Sequence, residues 1–308
     1  MILVINTGSS SIKMALIERT SAKLLAEGLA ERLGEEEPLL TWTIAGSTRQ
    51  HNLETVDEQA AGHQSAMLKM LDVLFSKIDK ALIAGVGHRV VHGGEKFVLP
   101  TLLNASVIAD IQALSHLAPL HNPSNILGIK VAMNHLPTVP HVAVFDTAFH
   151  QTMPKKASLY AVPYQWYEQY GVRRYGFHGT SHHYVGLAAA KILGCDFKDC
   201  KLLTVHLGNG CSATAINNGK SVDTTMGLTP LEGLVMGTRS GDVDPGLIDF
   251  ISRQSGDSLA EITNILNQKS GLLGLSGCSN DMRTLIQASE AGDKRATLAI
   301  EIFCYRLA

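Results

Sequence analysis

Three short segments each set a cationic or titratable side chain among glycines. Arg89 lies in His88–Gly94, His178 in Tyr175–Ser181 and Arg239 in Met236–Asp242. Glycine lets a ligand come close to the backbone, and a guanidinium grips carboxylates and phosphates through a planar fork of donors. A fourth small-residue stretch, Gly274–Arg283, ends in Asn280, Asp281, Met282 and Arg283. The opening of the chain adds a polar turn from Gly8 through Ser9, Ser10 and Ser11, with Asn6 before it and Lys13 after it. A turn of this composition offers backbone N–H groups and hydroxyls to an anion. Taken singly, each segment has a plain structural explanation: a surface hairpin, a solvated arginine, a packed histidine. Taken together, they describe sites where negative charge is gathered and neutralised.

These residues need elements to hold them. Ile2–Ile5 is an apolar run that reads as a buried strand, and Met14–Ile17 reads as its returning partner. Met67, Leu71, Leu74 and Ile78 recur at spacings of four and three, as on one helix face. Gly85–Val91 reads as a strand carrying Arg89. Ser106 is a candidate cap for a helix bearing Ile108, Ile111 and Leu114, and Asn122-Pro123 suits the first turn of the next one. His141–Phe145 is a short strand ending on Asp146. Met153–Pro163 contains two prolines and little periodicity, and a boundary near it divides the chain into domains 1–150 and 151–308. Beyond it, Gly179-Thr180-Ser181 can cap a helix through Leu193 that Gly194 stops. Leu202–Leu207, the turn Gly208-Asn209-Gly210 and Ala213–Ile216 repeat the strand–turn–strand pattern of the opening. Alternating strands and helices favour an α/β fold, and two halves that begin alike suggest a duplicated fold with a nucleotide between them.

Composition narrows the function classes. The chain has 308 residues, 45% hydrophobic and 18% charged, with a net charge of −2 and no basic run, so neither nucleic acid nor an anionic membrane surface is an expected partner. The first residues lack the basic segment and apolar length of a signal peptide, which leads to an expectation of a cytoplasmic protein. Five cysteines scattered over the second half are expected to be reduced thiols; Cys195 and Cys200 are close, but no second pair completes a zinc site. His182-His183 and the His116/His121 pair lack metal-ligand spacing, and Gly219-Lys220-Ser221 lacks the first glycine of a P-loop.

The segments HRVVHGGEKF, HLAPLHNP, VAVFDTAFH, RRYGFHGTSH, HLGNG, MGTRSGDVDP and GLLGLSGCSNDMR occur in fixed order through the whole chain and resemble the acetate kinase family. That family belongs with actin, sugar kinases and the large heat-shock chaperones. The resemblance implies two ribonuclease-H-like domains around a nucleotide cleft, and transfer of the γ-phosphoryl group of ATP to acetate, giving ADP and acetyl phosphate. It implies ATP/ADP as co-substrate, Mg2+ with Mn2+ as a substitute, and a homodimer joined through the second domain. The acyl-substrate residues would lie in 1–150 and the nucleotide-binding residues in 151–308.

Residue by residue, the resemblance gives Arg89 the substrate carboxylate and His178 and Arg239 the transferring phosphoryl group. Asn6 matches a magnesium-site residue and Lys13 an ATP-binding one, with Ser9 and Ser11 in the phosphate turn. His206, Leu207, Gly208, Asn209 and Gly210 match a phosphate-cradling loop, and Asp281, Met282 and Arg283 the nucleoside end. Val91, Leu120, Phe177 and Pro230 match the walls of the acyl pocket. Asp146 matches an essential carboxylate. A carboxylic acid substrate has a pKa of roughly 4 to 5 and is already ionised at neutral pH, so it holds no proton for Asp146 to remove. Organising the metal or its waters and orienting Arg89 is the alternative role.

The sequence stops at Ala308 in an apolar helical stretch, where family members continue into a third glycine-rich nucleotide loop and an acidic metal ligand. The expectation is therefore a second domain cut short, either as part of a full kinase or as a nucleotide-binding fragment without turnover. Propionate or butyrate kinase is an alternative of the same class. An actin-like ATPase is an alternative of another class, and one with no use for paired loop arginines beside an acyl-sized pocket.

Overall fold

The computed structural model describes residues 1–8, 11–33, 37–53 and 59–308, without the side chains of 59–61. The chain divides into two units, Met1–Ala148 and Phe149–Ala308. The division falls ahead of the Met153–Pro163 segment. The reason is local: the Phe149–Thr152 turn is bonded to the second unit, where Thr152 Oγ1 donates to the Ser221 carbonyl and His150 Nδ1 lies 2.9 Å from Ser221 Oγ.

Unit 1 contains β1 (Ile2–Thr7), β2 (Ile12–Ile17), β3 (Leu24–Glu31), β4 (Leu39–Ile44), β5 (Ser47–Asn52), α1 (Gln59–Phe75), β6 (Gly85–Val90), β7 (Thr101–Leu102), α2 (Ala105–Ala113), α3 (Asn122–His135) and β8 (His141–Phe145). Among the described residues its strands form one sheet in the order β5-β4-β3-β2-β1-β6-β8-β7. β1 to β5 are an antiparallel meander, whereas β1, β6 and β8 run parallel. Alternate residues of β1 point into the core, so Leu3, Ile5 and Thr7 are buried while Asn6 is half-buried on the other face. Helices α1 and α3 complete that core: Met67, Met70, Leu71 and Leu74 pack with Val131, Ala132, Leu3, Ile5 and Met14.

Register then does the positioning. Asn6 lies opposite Lys13 on β2 and opposite Arg89 on β6, and Arg89 lies opposite Val144 on β8. Cross-strand partners share a face, so Lys13, Asn6 and Arg89 form one polar row near the strand ends, with Asp146 one residue past β8. Asn125 on α3 ties the row down from behind. Its Nδ2 donates to the Thr7 carbonyl at 2.6 Å, and its Oδ1 accepts from Val91 N at 3.0 Å. Helix α3 starts at Asn122-Pro123 as expected. Helix α2 is capped by Asn104, whose side chain accepts from Val107 N, and not by Ser106, which is already inside the first turn.

Unit 2 contains α4 (Lys155–Ser158), α5 (Tyr164–Tyr170), α6 (Gly179–Leu193), β9 (Lys201–Leu207), β10 (Cys211–Asn217), β11 (Lys220–Thr224), α7 (Gly246–Ser255), α8 (Leu259–Gln268), α9 (Gly271–Ser276), α10 (Met282–Glu290) and α11 (Lys294–Leu307). Its strands form an antiparallel meander in the order β11-β10-β9, repeating the arrangement of β1 to β3. α6 ends on a left-handed Gly194, as its sequence implies; its N-cap is His178 in place of a Gly-Thr-Ser cap. Cys195 and Cys200 are paired as a disulfide, against the expectation of reduced thiols. Asp196 caps the Phe197–Asp199 turn and folds the five-residue link back on itself, a local geometry that composition does not reveal.

Buried histidines of unit 1, His88, His92 and His141, contribute to its acid response. Burial, with His141 adjoining, pushes the His88 imidazole down to about 3, and burial pushes His92 down to about 4. An unfolded histidine titrates near 6.5, so the unfolded chain binds more protons below that pH. Stability is complete above about pH 6.5 and falls toward the folded values, each histidine contributing about 1.4 kcal/mol per pH unit. Urea midpoints should therefore drop as pH is lowered from 7 to 5, and His88→Leu should flatten the slope by about one proton; a midpoint constant over that range would contradict the assignment. Asn125→Ala strips partners from a buried amide and carbonyl, and chemical denaturation should show a loss of about 1–3 kcal/mol.

Candidate functional site

In unit 1 the polar row closes on Arg89. Asp146, only 3% exposed, accepts from Arg89 Nε at 2.9 Å and from the second guanidinium nitrogen, Nη2, at 2.6 Å. Arg89 Nη1 donates to Asn6 Oδ1 at 3.1 Å. The carboxylate raises the guanidinium pKa further and keeps it charged. The Arg89 side chain remains 36% exposed, so the fork is held from behind while part of it faces outward. Lys13 is exposed beside this group on β2. Gly8 N donates to the Ser11 carbonyl, and His63 Nε2 lies 3.0 Å from the Gly8 carbonyl. Ser9 lies outside the described residues.

In unit 2 a second group forms around the β9–β10 turn. A Cβ placed on Gly210 would stand 3.3 Å from His178 Nε2 and 3.4 Å from Arg239 Nη1, so both side chains flank a glycine that makes room for them. His206 stacks on His178 with ring centres 4.0 Å apart, and its Nδ1 lies 2.9 Å from Ser181 Oγ. Arg239 Nη1 donates to the Pro230 carbonyl at 2.8 Å. The loop before α9 is fastened to the turn by a bond from Gly237 N to the Asn209 carbonyl, and Asn280 Nδ2 donates to Asn209 Oδ1. The result is a glycine turn bordered by a cation and two imidazoles, with Leu207, Gly208 and Asn209 exposed.

His178 reaches this position through its backbone. It has φ 56°, in the left-handed region, and follows Phe177 and a Gly176 of φ 72°. A Cβ on Gly176 would come within 2.5 Å of Thr224 and 2.7 Å of His150, so only glycine fits there.

The remaining expected residues divide between the units. Val91 and Phe177 are buried, Leu120 is 59% exposed and Pro230 is half-buried. Val91 and Leu120 belong to unit 1, Phe177 and Pro230 to unit 2. Asp281 caps α10 through Arg283 N and also pairs with the Arg283 side chain, while Met282 packs against the small core that contains Leu285. Residues that sequence reasoning left unassigned include Asn125, Ser212, His182 and Asn280. For His182 a signal existed, because it lies four residues after His178 in one short histidine-rich segment.

Asn6 and Asp146 offer hard oxygen donors, the type Mg2+ takes. Among the described residues no cluster of three or more His, Cys, Asp or Glu could hold a metal, so an ion here would complete its shell with water and phosphate oxygens. No described helix is long and apolar enough to cross a membrane.

The sequence profile of the Acetokinase family matches residues 1–308. The acetate kinase of Bacillus cytotoxicus is 51% identical over 308 residues, covering 99% of this chain and 77% of its own length. Among solved structures, a propionate kinase from Francisella tularensis superposes with a TM-score of 0.93 at 47% identity, over 99% of this chain and 77% of that one. The acetate kinase of Porphyromonas gingivalis gives a TM-score of 0.89 at 45% identity, over 99% of this chain and 77% of that one. With a family profile matched from end to end and relatives about half identical in sequence, this chain belongs to the acetokinase family.

Proposed function

We propose that this chain is an acetate kinase, transferring the γ-phosphoryl group of ATP reversibly to acetate. The observation that carries the reading is the approach of Arg239 and His178 to one glycine in the β9–β10 turn. Phosphoryl transfer requires in-line positioning and neutralisation of charge on the phosphoryl oxygens, with little covalent work for the protein. One carboxylate oxygen of acetate attacks the γ-phosphorus, the new O–P bond forms, and the bond to the bridging oxygen breaks with its electrons leaving on ADP.

Arg89 holds the acetate carboxylate. Its charge is maintained by Asp146, and its orientation is fixed by the bonds to Asp146 and Asn6. Asp146 acts here as an orienting counter-charge, since acetate at neutral pH has no proton to give up. Arg239 and His178 neutralise the equatorial phosphoryl oxygens, the glycine turn and Lys13 bind nucleotide phosphates, and Asp281 to Arg283 lie at the nucleoside end. Mg2+, held by Asn6 and Asp146 through oxygen and water, would supply further neutralisation of the phosphates when bound. Val91, Leu120, Phe177 and Pro230 limit the acyl chain. A cytoplasmic homodimer is the assembly we assign by analogy with the family.

Hydroxamate assays with magnesium ATP and acetate, propionate or butyrate test the reading directly. Acetate should give the highest kcat/KM; preference for propionate would move the chain to the sister activity, and no turnover with any acid would reject a kinase. Arg239→Ala should lower kcat by about 10²-fold or more with a smaller change in acetate KM. Val91→Ala should raise the propionate-to-acetate ratio of kcat/KM by about tenfold, since one methylene in such a pocket is worth about 1–3 kcal/mol. An unchanged ratio would remove Val91 from the pocket wall.

A further inference from the structure

His178 is the outer end of a hydrogen-bonded chain that runs into the interior of unit 2. Its Nδ1 lies 2.8 Å from Ser212 Oγ, which lies 2.7 Å from His182 Nε2. His182 Nδ1 lies 2.9 Å from Thr204 Oγ1, whose hydroxyl donates to the Thr214 carbonyl. His182, Ser212 and Thr204 are all buried. The element geometry explains the line-up. Ser212 and His206 are cross-strand partners on β10 and β9, as are Thr214 and Thr204, while His178 is the N-cap of α6 and His182 lies in its first turn.

Counting hydrogens gives the chain a direction. A hydroxyl has one proton. Besides His182, the acceptor that the Thr204 hydroxyl meets is the Thr214 carbonyl, at 3.5 Å; with its proton directed there, Thr204 accepts the Nδ1–H of His182. Neutral His182 then has a bare Nε2, which accepts the Ser212 proton. Ser212 is left with lone pairs, and takes the Nδ1–H of His178. We infer that Ser212 and His182 are positioning residues that fix a proton on Nδ1 of His178 and leave Nε2, the nitrogen beside Gly210, as the one that titrates. The inference rests on the proposed role of His178 at the phosphoryl group.

The consequence is chemical. With Nδ1–H fixed, His178 can donate from Nε2 only as an imidazolium; when neutral, it turns a lone pair toward an anion. The groups facing it set its titration. The His206 ring stacked on it and Arg239 beside the same glycine both oppose the cation, whereas bound phosphate favours it. The Cys211 thiol next to Ser212 is pushed up to about 11 by burial and stays neutral. His150 packs its ring edge against His182 and lies 2.9 Å from the Phe177 carbonyl through Nε2. Activity should therefore fall on the alkaline side as Nε2 loses its proton.

Two readouts test this. Two-bond 1H–15N spectra of protein labelled in histidine, with His178 assigned by its loss in His178→Ala, report the tautomer without reference to turnover. The neutral ring should show a protonated Nδ1 and a bare Nε2 in the wild type, and this pattern should shift toward Nε2–H in Ser212→Ala. A wild-type ring protonated on Nε2, or a pattern untouched by Ser212→Ala, overturns the inference; the wild-type spectrum decides it even if the variant fails to fold. In kinetics, Ser212→Ala should lower kcat about tenfold with ATP KM little changed and should move the alkaline limb upward by a pH unit or more, because its neutral ring can then donate from Nε2. A lower kcat with an unmoved limb would reduce Ser212 to packing. Full activity in His178→Ala would instead defeat the functional reading, leaving the spectral result standing.

Discussion

A guanidinium among parallel strand ends is tolerable only if a carboxylate meets it there, and the pairing of Arg89 with Asp146 is the constraint on which unit 1 turns. The strand order brings the two together from 57 residues apart, because β6 and β8 are parallel neighbours and end at the same level. Asp146 is almost wholly buried and would be costly to ionise alone. The arginine supplies its charge partner and in return is held charged and oriented. Removing Arg89 would leave Asp146 buried without its charge partner, so the ends of β6 and β8 depend on this contact.

Unit 2 sets a cation at its turn through other contacts. There the charge of Arg239 is set against a carbonyl and beside two imidazoles, and the space for it comes from a missing side chain at Gly210. Unit 1 thus relies on the register of neighbouring strands, and unit 2 on the N-terminus of α6 and a loop fastened at Asn209. The duplication seen in the strand order is one of scaffold, and the polar groups laid on it differ.

Much of this was legible from local pattern. The opening hairpin, β8 ending on Asp146, the start of α3 and the stop of α6 at Gly194 all follow from apolar spacing and from Gly and Pro placed where their torsions fit. The cap of α2 was misread because Asn104 and Ser106 are both good capping residues and only the fold chooses between them. The candidate site residues come from long motifs, which name side chains without saying which of them touch. That Lys13, Asn6 and Arg89 share a row depends on strand register, and that Ser212 bridges two histidines depends on how β10 faces α6. Neither is written in a local window. The pairing of Cys195 with Cys200 lies across a short turn capped by Asp196, which composition and spacing do not display.

His178 is also a place where the fold works against its own ease of formation. A side chain with a Cβ at a left-handed torsion costs on the order of 1–2 kcal/mol, and a glycine would occupy this spot at the head of α6 without that cost. The backbone twist swings the imidazole toward the β9–β10 loop in a way that an ordinary extended cap residue would not. The first turn of the helix is thus a little less stable than it could be, and what that concession secures is the aim of one ring.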